Sequence, residues 1–254
     1  MNVTATPHVT ATPHAPATEK RRRFLEAMRV VIVAGIAAGV LLVGVGSRLA
    51  MMLLRVTSPD QVRGVISDDG FTIGEVTLAG TYNLLLIGGA VGIIGAVAYR
   101  LVERWLIGPV WFRRVTVGLA AGAVAGAALI HADGIDFTAL QPTWLAIGLF
   151  IALPVQFGAL IGWFVDSVGR PDSWSARGRR HWVLPIVCVS CLPPTVFLLP
   201  FAALIVGVGV VASDAEVVQQ LRSNSSYALV VRGVWLLVAV LGLVALINDI
   251  TAIG

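Results

Sequence analysis

Apolar and polar positions alternate along this chain in blocks. Six apolar runs fall at about residues 28–54, 78–99, 115–132, 143–164, 182–212 and 228–247, with short polar connections between them. Most approach or exceed the roughly 20 residues that a helix needs to cross about 30 Å of hydrocarbon. The third is short by apolar count and needs its flanking residues to cross. The pattern predicts an all-α, polytopic membrane helical bundle of six transmembrane helices over 28–254. Residues 1–27 are read as a disordered cytoplasmic tail carrying a basic cluster.

The tail repeats itself. Val3–His8 reads VTATPH and Val9–His14 reads the same. Thr, Pro, Ala and His at this density bury no core. Two histidines, His8 and His14, without further ligands make no metal site, and no metal or cofactor is expected anywhere in the chain. Lys20–Arg23 (KRRR) precedes an apolar run longer than the roughly 7–15 residues of a signal peptide, which predicts an uncleaved first helix.

Composition supports this reading. Of 254 residues, 57% are hydrophobic and 13% charged. Soluble domains sit near 45–50% apolar and about 25% charged, so a soluble fold is excluded. The net charge of +4 reads as membrane orientation and not as a nucleic-acid footprint, because the basic residues cluster beside apolar runs. Lys20, Arg21, Arg22, Arg23 and Arg29 precede the first span. Arg100, Arg104, Arg113 and Arg114 follow the second, and Arg170, Arg177, Arg179 and Arg180 follow the fourth. The other connections carry acids: Asp60, Asp68, Asp69 and Glu75; Asp133 and Asp136; Asp214 and Glu216. This places both termini in the cytoplasm. Trp105, Trp111, Phe112, Trp174 and Trp182 flank the basic clusters as an interfacial belt. Among the basic residues only Lys20 is lysine, and with the Ala/Val/Gly richness this points to a GC-rich bacterial genome and a plasma-membrane location.

Two loop motifs are similar. Asp69–Thr72 reads DGFT and Asp133–Thr138 reads DGIDFT, each leading into an even-numbered span. They record either a duplicated helical hairpin or simply a common turn dipeptide, with the turn favoured. Around the first motif, Val65–Val76 reads as a small hairpin with solvated turn acids at Asp68 and Asp69.

Glycines recur at four-residue spacing: Gly35/Gly39, Gly88/Gly92, Gly118/Gly122/Gly126 and Gly158/Gly162. In lipid this spacing lets helix backbones approach closely, so these glycines are read as helix-packing residues. Polar groups inside the bilayer are the ligand-binding candidates. They are Arg48 in the outer half of the first span, Asn83 early in the second, His131 ending the third, Gln156 in the fourth and Arg232 in the outer part of the sixth. Each has a structural alternative. Arg48 can snorkel, and Gln156 can satisfy backbone freed by Pro154. No carboxylate sits mid-span, which disfavours proton- or cation-coupled transport.

The fifth run holds Pro185, Pro193, Pro194 and Pro200. Prolines kink or break helices, so this helix is expected to be kinked or broken. The alternative is that it re-enters and leaves the carboxyl terminus outside. Cys188 and Cys191 share the run. They read as small buried apolar groups more readily than as a dithiol or soft-metal pair. No paired nucleophile, acid/base set or nucleotide loop is present, so an enzyme is the weakest class. The sequence favours a membrane protein that binds or transports a small or lipid-like molecule, with an accessory or scaffold subunit as the alternative. Anionic lipids are the expected partners of the arginine clusters, and a homo-oligomer or another membrane protein is the further partner class.

Overall fold

The computed structural model describes residues 17–62, 64, 66, 77–131, 134, 137, 140–178, 180–213 and 225–253. The two similar loop motifs, the 65–76 hairpin and the VTATPH repeats lie wholly or mostly outside these residues. The described residues form an all-α membrane helical bundle. Its helices are α1 (Ala17–Thr57), α2 (Leu78–Val102), α3 (Val110–Leu129), α4 (Thr143–Gly169), α5 (Arg180–Cys191), α6 (Leu199–Ser213) and α7 (Ser225–Ile253). Five of them, α1, α2, α3, α4 and α7, are long and apolar enough to cross a bilayer.

Helix α1 begins at Ala17, well before the apolar run. The expectation of a disordered tail through residue 27 is therefore corrected for 17–27. The reason is local: Glu19 pairs with Arg22 at 3.0 Å and with Arg23 at 3.1 Å, and Arg22 reaches Glu26 at 3.5 Å. Pairs at these spacings support a helical turn that has no core to pack on. Beyond them Val30–Ile36 are all buried, and a helix apolar on every side belongs in the middle of a bundle. It packs against α2, α4, α5 and α6.

Between Gly39 and Val45 this helix widens into a π-helical segment. The wider turn adds one residue to the spacing of the contact face, so that Gly35, Gly39 and Gly44 all meet α2. A Cβ on Gly35 would lie 2.7 Å from the carbonyl oxygen of Gly92, and one on Gly88 would lie 2.6 Å from that of Gly39. The two backbones touch and run antiparallel. Farther on, Gly118 and Gly122 of α3 pack against Val155 of α4, while Gly126 faces Leu246 of α7. Gly158 meets Ala121 and Gly162 meets the ring of Tyr99.

These contacts fix the two ends of the bundle. The start of α1, the end of α2, the start of α3 and the end of α4 share one end, which carries the arginine clusters. Segments α5 and α6 form a hairpin with both feet at this basic end. Helix α5 leaves it at Arg180, and a 3-10 turn at Pro193–Leu198 reverses the chain. At the tip, Tyr82 near the start of α2 donates from its hydroxyl to the carbonyl of Cys191 at 3.1 Å. Helix α6 then returns, so that a Cβ on Gly207 would lie 3.6 Å from the ring of Phe24 near the start of α1. Pro193 and Pro194 open the turn and Pro200 sits in the first turn of α6, where a missing N–H is harmless. Pro185 lies inside α5.

The hairpin inverts the last helix. Helix α7 starts at the basic end, where Arg232 Nε donates to the carbonyl of Trp105 at 3.1 Å. It finishes at the opposite end, where Ile250 and Ile253 pack with Leu54, Ile130 and Phe137. Two expectations are corrected by this geometry. The fifth run doubles back and does not cross, leaving five spanning helices beside a hairpin. The two termini of the described chain lie at opposite ends, and Arg232 lies at the basic end and not at the outer one.

Candidate functional site

The five polar residues singled out from the sequence do not converge. Asn83 and Gln156 are exposed on the outside of the bundle and make no hydrogen bond among the described residues. Gln156 therefore does not satisfy the backbone that Pro154 leaves open. His131, also exposed, has Nδ1 3.2 Å from the carbonyl of Leu129 and its ring edge-on to Phe137. Arg232 is held by Trp105. Of the two cysteines, Cys188 is half-buried against the core and Cys191 is exposed, and both are free thiols.

Arg48 differs from the other four. Its Nε and Nη2 are buried and have no hydrogen-bond partner. An unpaired guanidinium inside a bilayer-spanning helix is expensive, by at least a few kcal/mol. Replacing Arg48 with methionine, which keeps the length of the stem, is expected to leave stability unchanged or raised by about 1 kcal/mol. A fall of several degrees in a detergent melt would show that the charge is satisfied in the folded protein.

The chemistry concentrates elsewhere, in a cavity of about 1030 Å³ at the basic end. Helix α1 contributes Arg22, Arg23, Glu26 and Arg29, and α2 contributes Val97 and Arg100. Trp105 closes one side, and Ile205, Val206, Gly209 and Val210 of α6 form an apolar wall. The α1 residues owe their position to spacing. Arg22, Glu26 and Arg29 stand at i, i+4 and i+7, one face of a helix. They face the cavity because the hairpin's return limb lies beside that face.

Arg29 is 5% exposed. Its Nη1 donates to Ser175 Oγ at 2.7 Å, and Ser173 Oγ lies 3.1 Å from the same oxygen while donating to the carbonyl of Val168 at 3.0 Å. Both serines sit in the turn after α4 and are buried. This polar relay ties the turn to α1 and fixes the guanidinium. Its Nε has no partner. The other cavity arginines are compensated: Arg22 by Glu19 and Glu26, Arg23 by Glu19, and Arg100 by Glu103 at 3.0 Å. Arg29 makes no ion pair among the described residues.

The sequence carried a signal for this site. Arg29 is the last member of the basic cluster and is followed directly by Val30–Ile36, so it alone of the cluster had to enter the packed part of α1. Ser173 and Ser175 gave none, because their burial depends on how the turn folds under α4. No group of three or more histidine, cysteine or acidic residues suited to a metal occurs among the described residues. No family model matches the chain, and neither the curated proteins nor the solved structures contain a significant match.

Proposed function

We propose that this protein binds, and in doing so sequesters or moves, an anionic lipid-like molecule in the cavity at the basic end of the bundle, in a bacterial plasma membrane with that end facing the cytoplasm. The observation that carries the reading is Arg29. A guanidinium 5% exposed, with one nitrogen held by Ser175 and another without a partner, borders a cavity whose other wall is apolar. Such a site suits a ligand with an anionic head and a hydrocarbon body. Sidedness follows from Lys and Arg at the ends of the spans. Arg232 adds to the basic end once the hairpin is in place.

Native mass spectrometry from mild detergent tests this. The purified protein is expected to retain a lipid or amphiphilic anion. Gly209→Phe is expected to remove it without unfolding, since Gly209 lines the cavity and a Cβ there has nothing within 4 Å. A wild-type protein that carries no such molecule, or a variant that carries as much, would overturn the reading.

A second reading rests on α7. Only 6% of its apolar window is buried, which leaves a long face for a neighbouring membrane protein and favours an accessory subunit. Crosslinking from Leu236 or Leu243 in native membranes that captures no protein would count against it.

A further inference from the structure

The cavity's charges define the ligand's head more narrowly than the word anionic. This step rests on the binding proposed above. Three arginines that line the cavity each have a glutamate in ion-pair contact, through Glu19, Glu26 and Glu103. Among the described residues the four lining arginines outnumber those three glutamates by one, and Arg29 is the lining arginine with no ion-pair contact. Its position is fixed by the Ser175–Ser173 relay, and its buried Nε is left without a partner, so the guanidinium keeps donor capacity for one oxyanion. A second negative charge on the head would have to break an existing Arg–Glu pair. A zwitterionic head would bring its ammonium among arginines. Val30, Val97, Ile205, Val206 and Val210 supply the apolar contact for an acyl chain.

We infer that the cavity takes a singly charged phosphodiester lipid, its phosphate on Arg29 and its chain against α6. The alternatives of the same chemistry are a phosphomonoester lipid and a soluble phosphate ester without a chain.

The test titrates the intact protein in detergent with phosphatidylglycerol, phosphatidic acid, phosphatidylcholine and glycerol 3-phosphate, and reads adducts by native mass spectrometry. Phosphatidylglycerol is expected to bind at least about tenfold better than phosphatidylcholine and at least as well as phosphatidic acid, a difference of roughly 1.4 kcal/mol per tenfold. Glycerol 3-phosphate is expected not to compete. Arg29→Gln should bring phosphatidylglycerol down to the phosphatidylcholine level, and Arg29→Lys should recover most of the loss. Arg55→Gln, exposed near the opposite end of α1 and outside the cavity lining, should lose less than about threefold. Stronger binding of phosphatidic acid would overturn the single-charge assignment while leaving the anionic-lipid reading standing. Competition by glycerol 3-phosphate would overturn the lipid class. Equal binding of phosphatidylcholine would overturn both readings. Equal losses at Arg29 and Arg55 would overturn the role of Arg29. The wild-type selectivity decides the charge class even if the Arg29 variants fold poorly.

Discussion

Gly92→Ala and Gly39→Ala are each expected to lose about 3 kcal/mol or more of stability. A Cβ at Gly92 falls on the carbonyl oxygen of Gly35 and lies 2.7 Å from that carbonyl carbon and 2.9 Å from the Cα of Gly39. At Gly39 it falls on the carbonyl oxygen of Gly88 and lies 2.7 Å from the Cα of Gly92. All of these atoms are backbone and none can rotate away. Overpacking ordinarily costs about 1–3 kcal/mol when side chains give way, so a clash between two backbones belongs at or above the top of that range. The helix-propensity gain from glycine to alanine, about 1 kcal/mol, offsets only part of it. For a chain of this size each kcal/mol moves the midpoint by about 2–4 °C, so a fall of about 6–12 °C in a detergent melt is expected. Gly148→Ala and Gly233→Ala are the controls. A Cβ at either meets nothing within 4 Å, and both should melt within a degree or two of wild type. Equal effects at contact and control positions would show that α1 and α2 do not pack through these glycines.

The second large effect is all-or-none. In a background with Cys188 and Cys191 replaced by alanine, Thr18→Cys and Thr251→Cys are expected to react with a membrane-impermeant maleimide from opposite sides of the membrane. Both positions are exposed, one in the first turn of α1 and the other in the last turn of α7. In right-side-out vesicles Thr251→Cys should label and Thr18→Cys should label only after permeabilisation. Labelling of both from one side would mean that the fifth run crosses, and the α5–α6 hairpin would be wrong.

The hairpin shows where reading the sequence failed and why. Its four prolines announced a break but not its direction, because a proline removes hydrogen bonds without saying which way the chain continues. Asp214 and Glu216 look like the acids of the outer loops and point the connection outward. Acidic residues contribute little to orientation; lysine and arginine set it. Weighted that way, Arg222 and Arg232 already placed this connection with the other arginines. By contrast, the spans at Leu78 and Thr143 start where the apolar runs do. A polar N-cap, Thr77 accepting from the amide of Gly80 at 3.0 Å, marks the first of these boundaries, and Pro142 marks the second.

The site was legible only in part. Asn83 and Gln156 drew notice because they are polar within apolar runs, yet both face outward. Helices surrounded by lipid are apolar on all sides, so no stripe in the sequence separates an inward polar residue from an outward one. Arg29 escaped notice for the opposite reason. It stands among charged neighbours, and although its place directly before Val30–Ile36 signals burial, the partners that enclose it, Ser173 and Ser175, come only from the packing of the turn after α4.

The π-helical segment of α1 also sets the phase of that helix. One additional residue within a turn rotates everything beyond it by about 100°. The half before the segment is indexed to the hairpin and to Ser175, and the half beyond it, from Gly46, is indexed to Leu153 of α4. One continuous helix thus answers to two sets of neighbours whose angular demands disagree. The register error is absorbed at the level where α1 and α2 lie closest. A rotation of the half at the basic end about the helix axis can therefore be taken up in that wide turn instead of being transmitted to Arg48.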